Sequence, residues 1–449
     1  MLKKIYLIIT LMFLTGCSLF NTNPYFSEGF IGDSFGISNN IRNSNISQLE
    51  NENSFKIAML LPLSGKMETL GQSMKKSAML AINDLNNNDL LIQFYDTQST
   101  SSGAMIAVEN AIKSKPHLII GPIMSEEVSA ITNTALSKDI PVISFSTSPL
   151  VLQNGIYSLG LLNEEQIDKI IKHAAEIGRQ NLAAVLPDNQ SGTNMLKLMM
   201  TSSKNYGINL VKVGFYPPET MDFTQLVTQI AGEEKVKRSQ MKAEDFEKLT
   251  EPLEPIVLDF DTLIIPEYGN KLKSIASMFS YYDIAIPEVL FMGTSIWANT
   301  NLSKETELYG ATYPVMSFSR LTRFSQKYEN MFEEKPNGLS IFAYDAIALS
   351  SALSHKDRNK VKDTITSIDG FYGMSGAFRI FDNGKNEHGL DIVKVTSKGP
   401  KVIEPAAKKF TNSNPSYAQF GLKPDYFNEM PIIYGKDVEE LRNILINMD

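Results

Sequence analysis

From Phe55 onward the chain alternates between two hydrophobic rhythms. The stretch FKIAMLL (55–61) is apolar almost throughout, as a strand covered on both faces should be. Pro62 and Gly65 end it, and Leu70, Met74, Ala78, Ala81, Ile82 and Leu85 then recur on one helical face. LLIQFYD (90–96), HLIIGP (117–122) and IPVISF (140–145) read as further strands, with helical segments at 106–112 and 128–136. Such alternation predicts a parallel sheet wrapped on both faces by right-handed crossovers. It starts afresh after about residue 155. NLAAVLP (181–187), INLVKVGFY (208–216), DTLIIPEYG (261–269), EVLFMGTS (288–295) and ELYGATYPV (307–315) are strands, with helices from Glu164, Thr193, Phe223 and Asn270. Helices follow over about 319–334 and 340–354. In GMSGAFRIFDNGKNEHGLDIVKV, Asn383-Gly384 predicts a two-residue hairpin turn. Beyond Pro405 the composition shifts to Pro, Asn and aromatics, and only Val438 to Ile446 reads as helix.

The expected fold is therefore α/β: two Rossmann-like lobes with parallel sheets around a central cleft. The first lobe takes residues 54–157 and, on a return of the chain, 291–368. The second takes 158–290, and a hairpin over 369–404 belongs to the second lobe and the hinge. Within 232–255 the charged run EEKVKRSQMKAEDFEKL lacks a broad apolar face and is expected as a solvated helical insertion. Residues 405–449 form a C-terminal tail.

In open parallel sheets the ligand crevice lies beyond the carboxyl ends of the strands. The positions there are Ser64-Gly65, Asp96-Thr97, Ser125, Ser144 to Ser148, Asp188 to Ser191, Glu267-Tyr268 and Thr294-Ser295. Small hydroxyls beside free N–H groups at helix starts can hold a carboxylate or another anion. Each taken alone is equally an ordinary N-cap. Ser64, Ser125, Ser146, Thr147, Ser191, Tyr268 and Ser295 are the ligand-binding candidates.

The chain carries 42 Lys and Arg against 50 Asp and Glu, without a basic cluster, which disfavours nucleic acid as a partner. Its one cysteine, Cys17, follows a positive start (Lys3, Lys4), a short apolar run (Ile5 to Phe13) and the small pair Thr15-Gly16. That order reads as a secretory signal over 1–16, and the run falls short of the roughly 20 residues of a spanning helix. Leu14-Thr15-Gly16-Cys17 resembles the bacterial lipoprotein box. The resemblance implies a thiol carrying a fatty acyl chain such as palmitate on the new N-terminus, and a membrane tether rather than a span. Ser18, rather than Asp, then favours the outer membrane of a two-membrane bacterium. Loss of Lys3 and Lys4 with the signal takes the net charge from −8 to −10. Residues 17–53, rich in Asn, Ser and Gly, hold too little apolar surface to order and are expected as a flexible linker.

With Cys17 acylated, disulfides, thiolate metal sites and cysteine catalysis drop out together. His117, His173, His355 and His388 share no spacing and fall on predicted strand, helix or turn surfaces. No G-x-S-x-G elbow, P-loop or H-E-x-x-H pair occurs. Asp259 and Asp261 read as solvated edge charges, and Asp382-Asn383-Gly384 as a turn rather than a calcium loop. The expectation is a non-catalytic protein without metal or cofactor.

IAMLLPLSGKMETLGQSMKKSAMLAINDLN, LIIGPIMSEEVSAITNTALSKDIPVISFSTSPLV and GMSGAFRIFDNGK together resemble the signatures of type I periplasmic solute-binding proteins, above all the branched-chain amino acid group. The resemblance covers about 55–400 and implies two lobes, joined by three crossing segments, that close on a ligand by hinge motion. It places Ser125 and Thr147, with Ser146, at ligand-contacting positions. It also puts Leu70 where an aromatic covers the ligand, Ser191 at a hinge tyrosine, and Ser295 at the acid that neutralises the ligand's ammonium. A buried ammonium without that carboxylate costs several kcal/mol, which argues against a free α-amino acid. FYDTQST, GPIMSEEV and DTLIIPEYGN look more like another branch of this fold, the lipoprotein activators of penicillin-binding proteins. That likeness implies a regulator contacting a peptidoglycan synthase. The alternative is the capture subunit of an ABC importer, partnered by its permease and a small polar ligand.

Overall fold

Strand β1 (Phe55–Leu61) shows in miniature why its sequence, Lys56 apart, is apolar. Ile57, Met59 and Leu61 enter one core cluster, and Ala58 and Leu60 enter another on the opposite face. Such double coverage is what a central parallel strand requires. The computed structural model describes residues 54–242, 254–411, 415, 417 and 430–447. The signal segment, Cys17 with the linker to residue 53, and part of the charged insertion lie outside the described residues. From Phe55 on, the chain is one compact unit.

β1, β2 (Leu90–Asp96), β3 (Leu118–Ile120), β4 (Val142–Ser144) and β5 (Ile156–Ser158) form a parallel sheet in the order β2-β1-β3-β4-β5. Helices α1 (Glu68–Leu85), α2 (Ser101–Lys113) and α3 (Ser125–Leu136) connect its strands. Leu70, Met74, Ala78 and Ala81 are the buried stripe of α1, and Asn86 ends it in the left-handed region at φ 45°.

A second sheet has the order β15-β14-β10-β9-β8-β6-β7-β16. Its parallel centre comprises β6 (Asn181–Pro187), β7 (Asn209–Tyr216), β8 (Thr262–Ile264), β9 (Leu290–Met292) and β10 (Thr312–Met316). β14 (Leu390–Lys394) runs antiparallel to β10, and β15 (Lys401–Glu404) antiparallel to β14. On this unit lie α4 (Asn163–Glu176), α5 (Gln190–Tyr206), α6 (Thr224–Ala231), α7 (Glu233–Ser239) and α8 (Gly269–Tyr281). Of α7, at the start of the charged insertion, only Val236 is buried. A three-stranded ribbon links the two halves: β11 (Phe371–Tyr372), β12 (Ala377–Ile380) and β13 (Asn386–His388).

Three features differ from the sequence reading. The segment 291–368 does not return whole to the first lobe. β10 pairs at Thr312 with Met292 of β9 and with Lys394 of β14, and the return begins only with α9 (Phe318–Phe332), followed by α10 (Ile341–Ser354) and α11 (Val361–Ile365). TYPVM is buried at every position, so its period suits either sheet and its partner decides. The β12–β13 turn spans three residues rather than two. Phe381 N donates to Lys385 O at 2.8 Å and Gly384, at φ 85°, donates to Phe381 O. The glycine thus takes the left-handed corner of a longer loop. Finally, β16 (Ile432–Tyr434) adds in parallel to β7, and α12 (Val438–Ile446) buries Leu441 and Leu445 in the second core.

The chain crosses between the sheets three times: β5 to α4, β10 to α9, and β13 to β14. Asn386, fully buried, fastens the first crossing to the third by donating to Ser158 O (3.0 Å) and Gly160 O (2.7 Å). Because α4 leads back to the start of β6, its first turn lies at the carboxyl ends of the second sheet. Ser295 N, just past β9, accordingly donates to Gln166 Oε1 of that turn at 2.9 Å. The carboxyl end of β5 feeds the same turn, so both sheets aim their carboxyl edges at the crossing.

Candidate functional site

At the first edge, Ser64 follows β1 and Asp96 closes β2. Ser64 Oγ donates to Asp96 Oδ2 at 2.6 Å, and Asp96 Oδ1 accepts from Leu63 N, Ser64 N and Gln98 N. Burial works against the charge of Asp96, but these donors outweigh it and hold the carboxyl below its usual range. Ser99 Oγ donates to Ser64 O and accepts from Met67 N, which fixes the loop in front of α1. Ser125 opens α3 and donates to Glu126 Oε2 at 3.1 Å. Behind it Glu127, 1% exposed, accepts from Thr97 Oγ1 at 2.9 Å and from Met124 N. Burial pushes the Glu127 carboxyl up, against those hydrogen bonds. Ser146 is buried: its Oγ accepts from Ser148 N and its carbonyl from Ser158 Oγ. Thr147 beside it is exposed.

At the second edge, Ser191 is exposed in the first turn of α5, where Asn189 Oδ1 caps Gly192 N. Tyr268 precedes α8 and is 55% exposed. Next to it Tyr216 OH donates to Glu267, and burial together with that carboxylate drives the phenol pKa far up. Ser295 is held through its backbone by Gln166. Among the described residues no hydrogen bond joins Ser64, Ser125 or Ser146 to Ser191, Tyr268 or Ser295; each edge is tied within itself.

Leu70 is 6% exposed and belongs to the core of the first lobe rather than to an open surface. Glu127, Gln166 and Tyr216 carry much of the site's wiring and were not singled out from sequence. A Glu in the first turn of a helix and a Tyr ending a strand were the available signals. The histidine reading needs correction. His173 and His388 are buried, and each Nδ1 meets a carboxylate, Glu404 Oε2 at 2.8 Å and Glu165 at 3.1 Å. Among the described residues, no cluster of three or more His, Asp or Glu could hold a metal ion, and no helix is long and apolar enough to cross a membrane. What the two edges offer is hydroxyls, helix starts and fixed backbone: chemistry suited to holding a polar ligand.

The periplasmic binding protein family model matches residues 54–400. An uncharacterized protein of Rickettsia prowazekii is 24% identical over 169 residues, which span 37% of this chain and 45% of that relative. Among solved structures, the branched-chain amino acid transporter substrate-binding protein of Streptococcus pneumoniae has a TM-score of 0.53 at 16% identity, covering 78% of this chain and all of its own. A periplasmic ligand-binding protein of a branched-chain amino acid ABC transporter from Burkholderia xenovorans gives 0.59 at 14% identity, with 80% and 95% coverage. An ABC transporter solute-binding protein from Rhodopseudomonas palustris gives 0.56 at 15% identity, with 82% and 100% coverage. At these identities the likeness is one of fold. By its family match and its two-sheet topology, the chain belongs to the periplasmic binding proteins.

Proposed function

We propose that this protein is a non-catalytic solute receptor of the periplasm that delivers a small carboxylate to an ABC importer. What supports the reading is that the carboxyl ends of both sheets face one crossing, with Ser64, Ser125, Ser146, Thr147, Ser191, Tyr268 and Ser295 as the proposed ligand contacts. Helix starts and hydroxyls there suit an anionic head group. The Streptococcus relative was solved with isoleucine and the Rhodopseudomonas relative with 3,4-dihydroxybenzoic acid, both carboxylates. Ser295, in place of an acid, disfavours a ligand with an α-ammonium, so an aliphatic or aromatic acid is the better fit. These relatives support the importer over a regulator of a peptidoglycan synthase. Cys17 acylation would keep the receptor at the membrane.

The test is a thermal-shift and calorimetric screen of the full chain against carboxylic acids and amino acids. A cognate acid is expected to raise Tm, and Ser125→Ala to weaken its binding about tenfold, near 1.4 kcal/mol. The mass spectrum of the same membrane-extracted sample should show Cys17 acylated. No stabilisation by any acid or amino acid at about 1 mM would sink the receptor reading.

A further inference from the structure

β15 and β16 both belong to the second sheet, and the chain between them reaches away to the ribbon. Of this connection, 405–411, Pro415 and Tyr417 are described, all beyond residue 400, where the family match ends. The ribbon packs with the first lobe: Phe378 and Ile380 of β12, each 1% exposed, enter the first core. The connection thus starts and finishes on one lobe and is held midway by the other.

Ala406 N donates to Asp391 Oδ1, and the other oxygen of that carboxylate accepts from Phe318 N at 2.7 Å. One side chain of β14 therefore holds both the connection and the β10–α9 crossing. Ala407 passes directly over Gly389, where a Cβ would lie 2.5 Å from Ala407 O, closer than real Cβ atoms come. Arg379 of β12, 1% exposed, donates from Nη1 to Thr411 O at 2.9 Å, and the Phe410 ring lies 4.9 Å from its guanidinium. Glu387 Oε2 meets the charge of Arg379, accepting from Nε and Nη2 at 2.7 Å each. Lys385, on the β12–β13 turn, donates to Tyr417 O at 3.0 Å and pairs with Glu164 of α4 at 3.5 Å.

Between these ties the connection stands clear of α4. A cavity of 460 Å³ separates Ala407, Phe410 and Tyr417 from Asp168 and Lys172, and Lys408 and Lys409 are exposed. Discrete contacts hold it rather than a continuous packed face, so it can slacken without opening either core.

We propose that 406–411 is a strap that limits hinge motion: it holds the ribbon of the first lobe against the second sheet, and the lobes part only as far as its ties permit. In a solute receptor such a strap sets how often the crevice opens to take or release its ligand. That consequence rests on the receptor reading; the strap itself does not.

The test is single-molecule energy transfer in the full chain without ligand, between dyes at the exposed positions Glu109 of α2 and Tyr281 of α8, one on each lobe. A wide-open minor state of about 1% is expected in the unsubstituted protein, and Phe410→Ala should raise it about tenfold. Lys409→Ala, an exposed neighbour on the same strap, should leave it unchanged. An unchanged distribution in Phe410→Ala would overturn the strap, as would an equal rise in Lys409→Ala. Should Phe410→Ala not fold, Gly389→Ala takes its place under the same two outcomes, because it displaces Ala407 without deleting a tie. A failed carboxylate screen beside a tenfold rise in Phe410→Ala would end the receptor reading and leave the strap standing.

Discussion

Glu404 bonds two partners on α4 at once, Lys169 Nζ and His173 Nδ1, and so fastens β15 to that helix. The His173 hydrogen bond comes first among the causes that lower its carboxyl to about 2; burial opposes it and Lys169 assists. A carboxylate with a depressed folded pKa adds stability that is complete above its unfolded pKa, near 4.5, and lost as pH falls through its folded value near 2. Discounted for partial exposure, the contribution is about 1–2 kcal/mol. Glu404→Gln should therefore lower urea stability by that amount at pH 6, with the gap to the unsubstituted protein closing between pH 4.5 and 2. A gap that stayed constant would mean that charge is not what Glu404 supplies. None of this was legible in the sequence. His173 and Glu404 stand 231 positions apart, and His388 and Glu165 223. A partner brought across a fold leaves no spacing to read.

Elements were far more legible than contacts. The strands at 55–61 and 181–187 stand where nearly continuous apolar runs placed them, because burial on both faces leaves few polar positions, and the edge strand at 90–96, only partly buried, was still marked by LLI. β15 and β16 were not foreseen: KVIE and IIY are short edge strands that stay partly or wholly exposed, so neither shows a run nor a clear alternation. α12 was foreseen from its period, but not its docking. Leu441 is fully buried, so Leu441→Ala should destabilise the protein by about 2–4 kcal/mol, whereas Ile446→Ala, at a half-exposed position, should cost about 0.5 kcal/mol or less. Denaturant titration compares the two. Equal, small losses would mean that the last helix does not contribute to the core.

At the scale of the molecule, the candidate site follows from topology more than from any side chain. The serines could be named from sequence because strand ends could, yet the convergence of the two edges depends on where the chain crosses. Asn386 is the clearest single fastening of that crossing, with two buried carbonyls as its acceptors. Asn386→Ala should cost about 1–3 kcal/mol by orphaning both. Hydrogen exchange should quicken at 158–160 and 384–388 while the centre of β6 stays protected. Uniform protection would show that the lobes are joined elsewhere. The crossings also set an order of assembly. The first core draws on Phe324, Tyr328 and Ile347, and the second on Leu441 and Leu445. A ribosome releases those residues long after the strands they cover. The first core has all its residues once Leu390 has emerged, whereas the second stays open until Leu441 and Leu445 follow, so the first lobe can close while its neighbour still needs shielding by a chaperone.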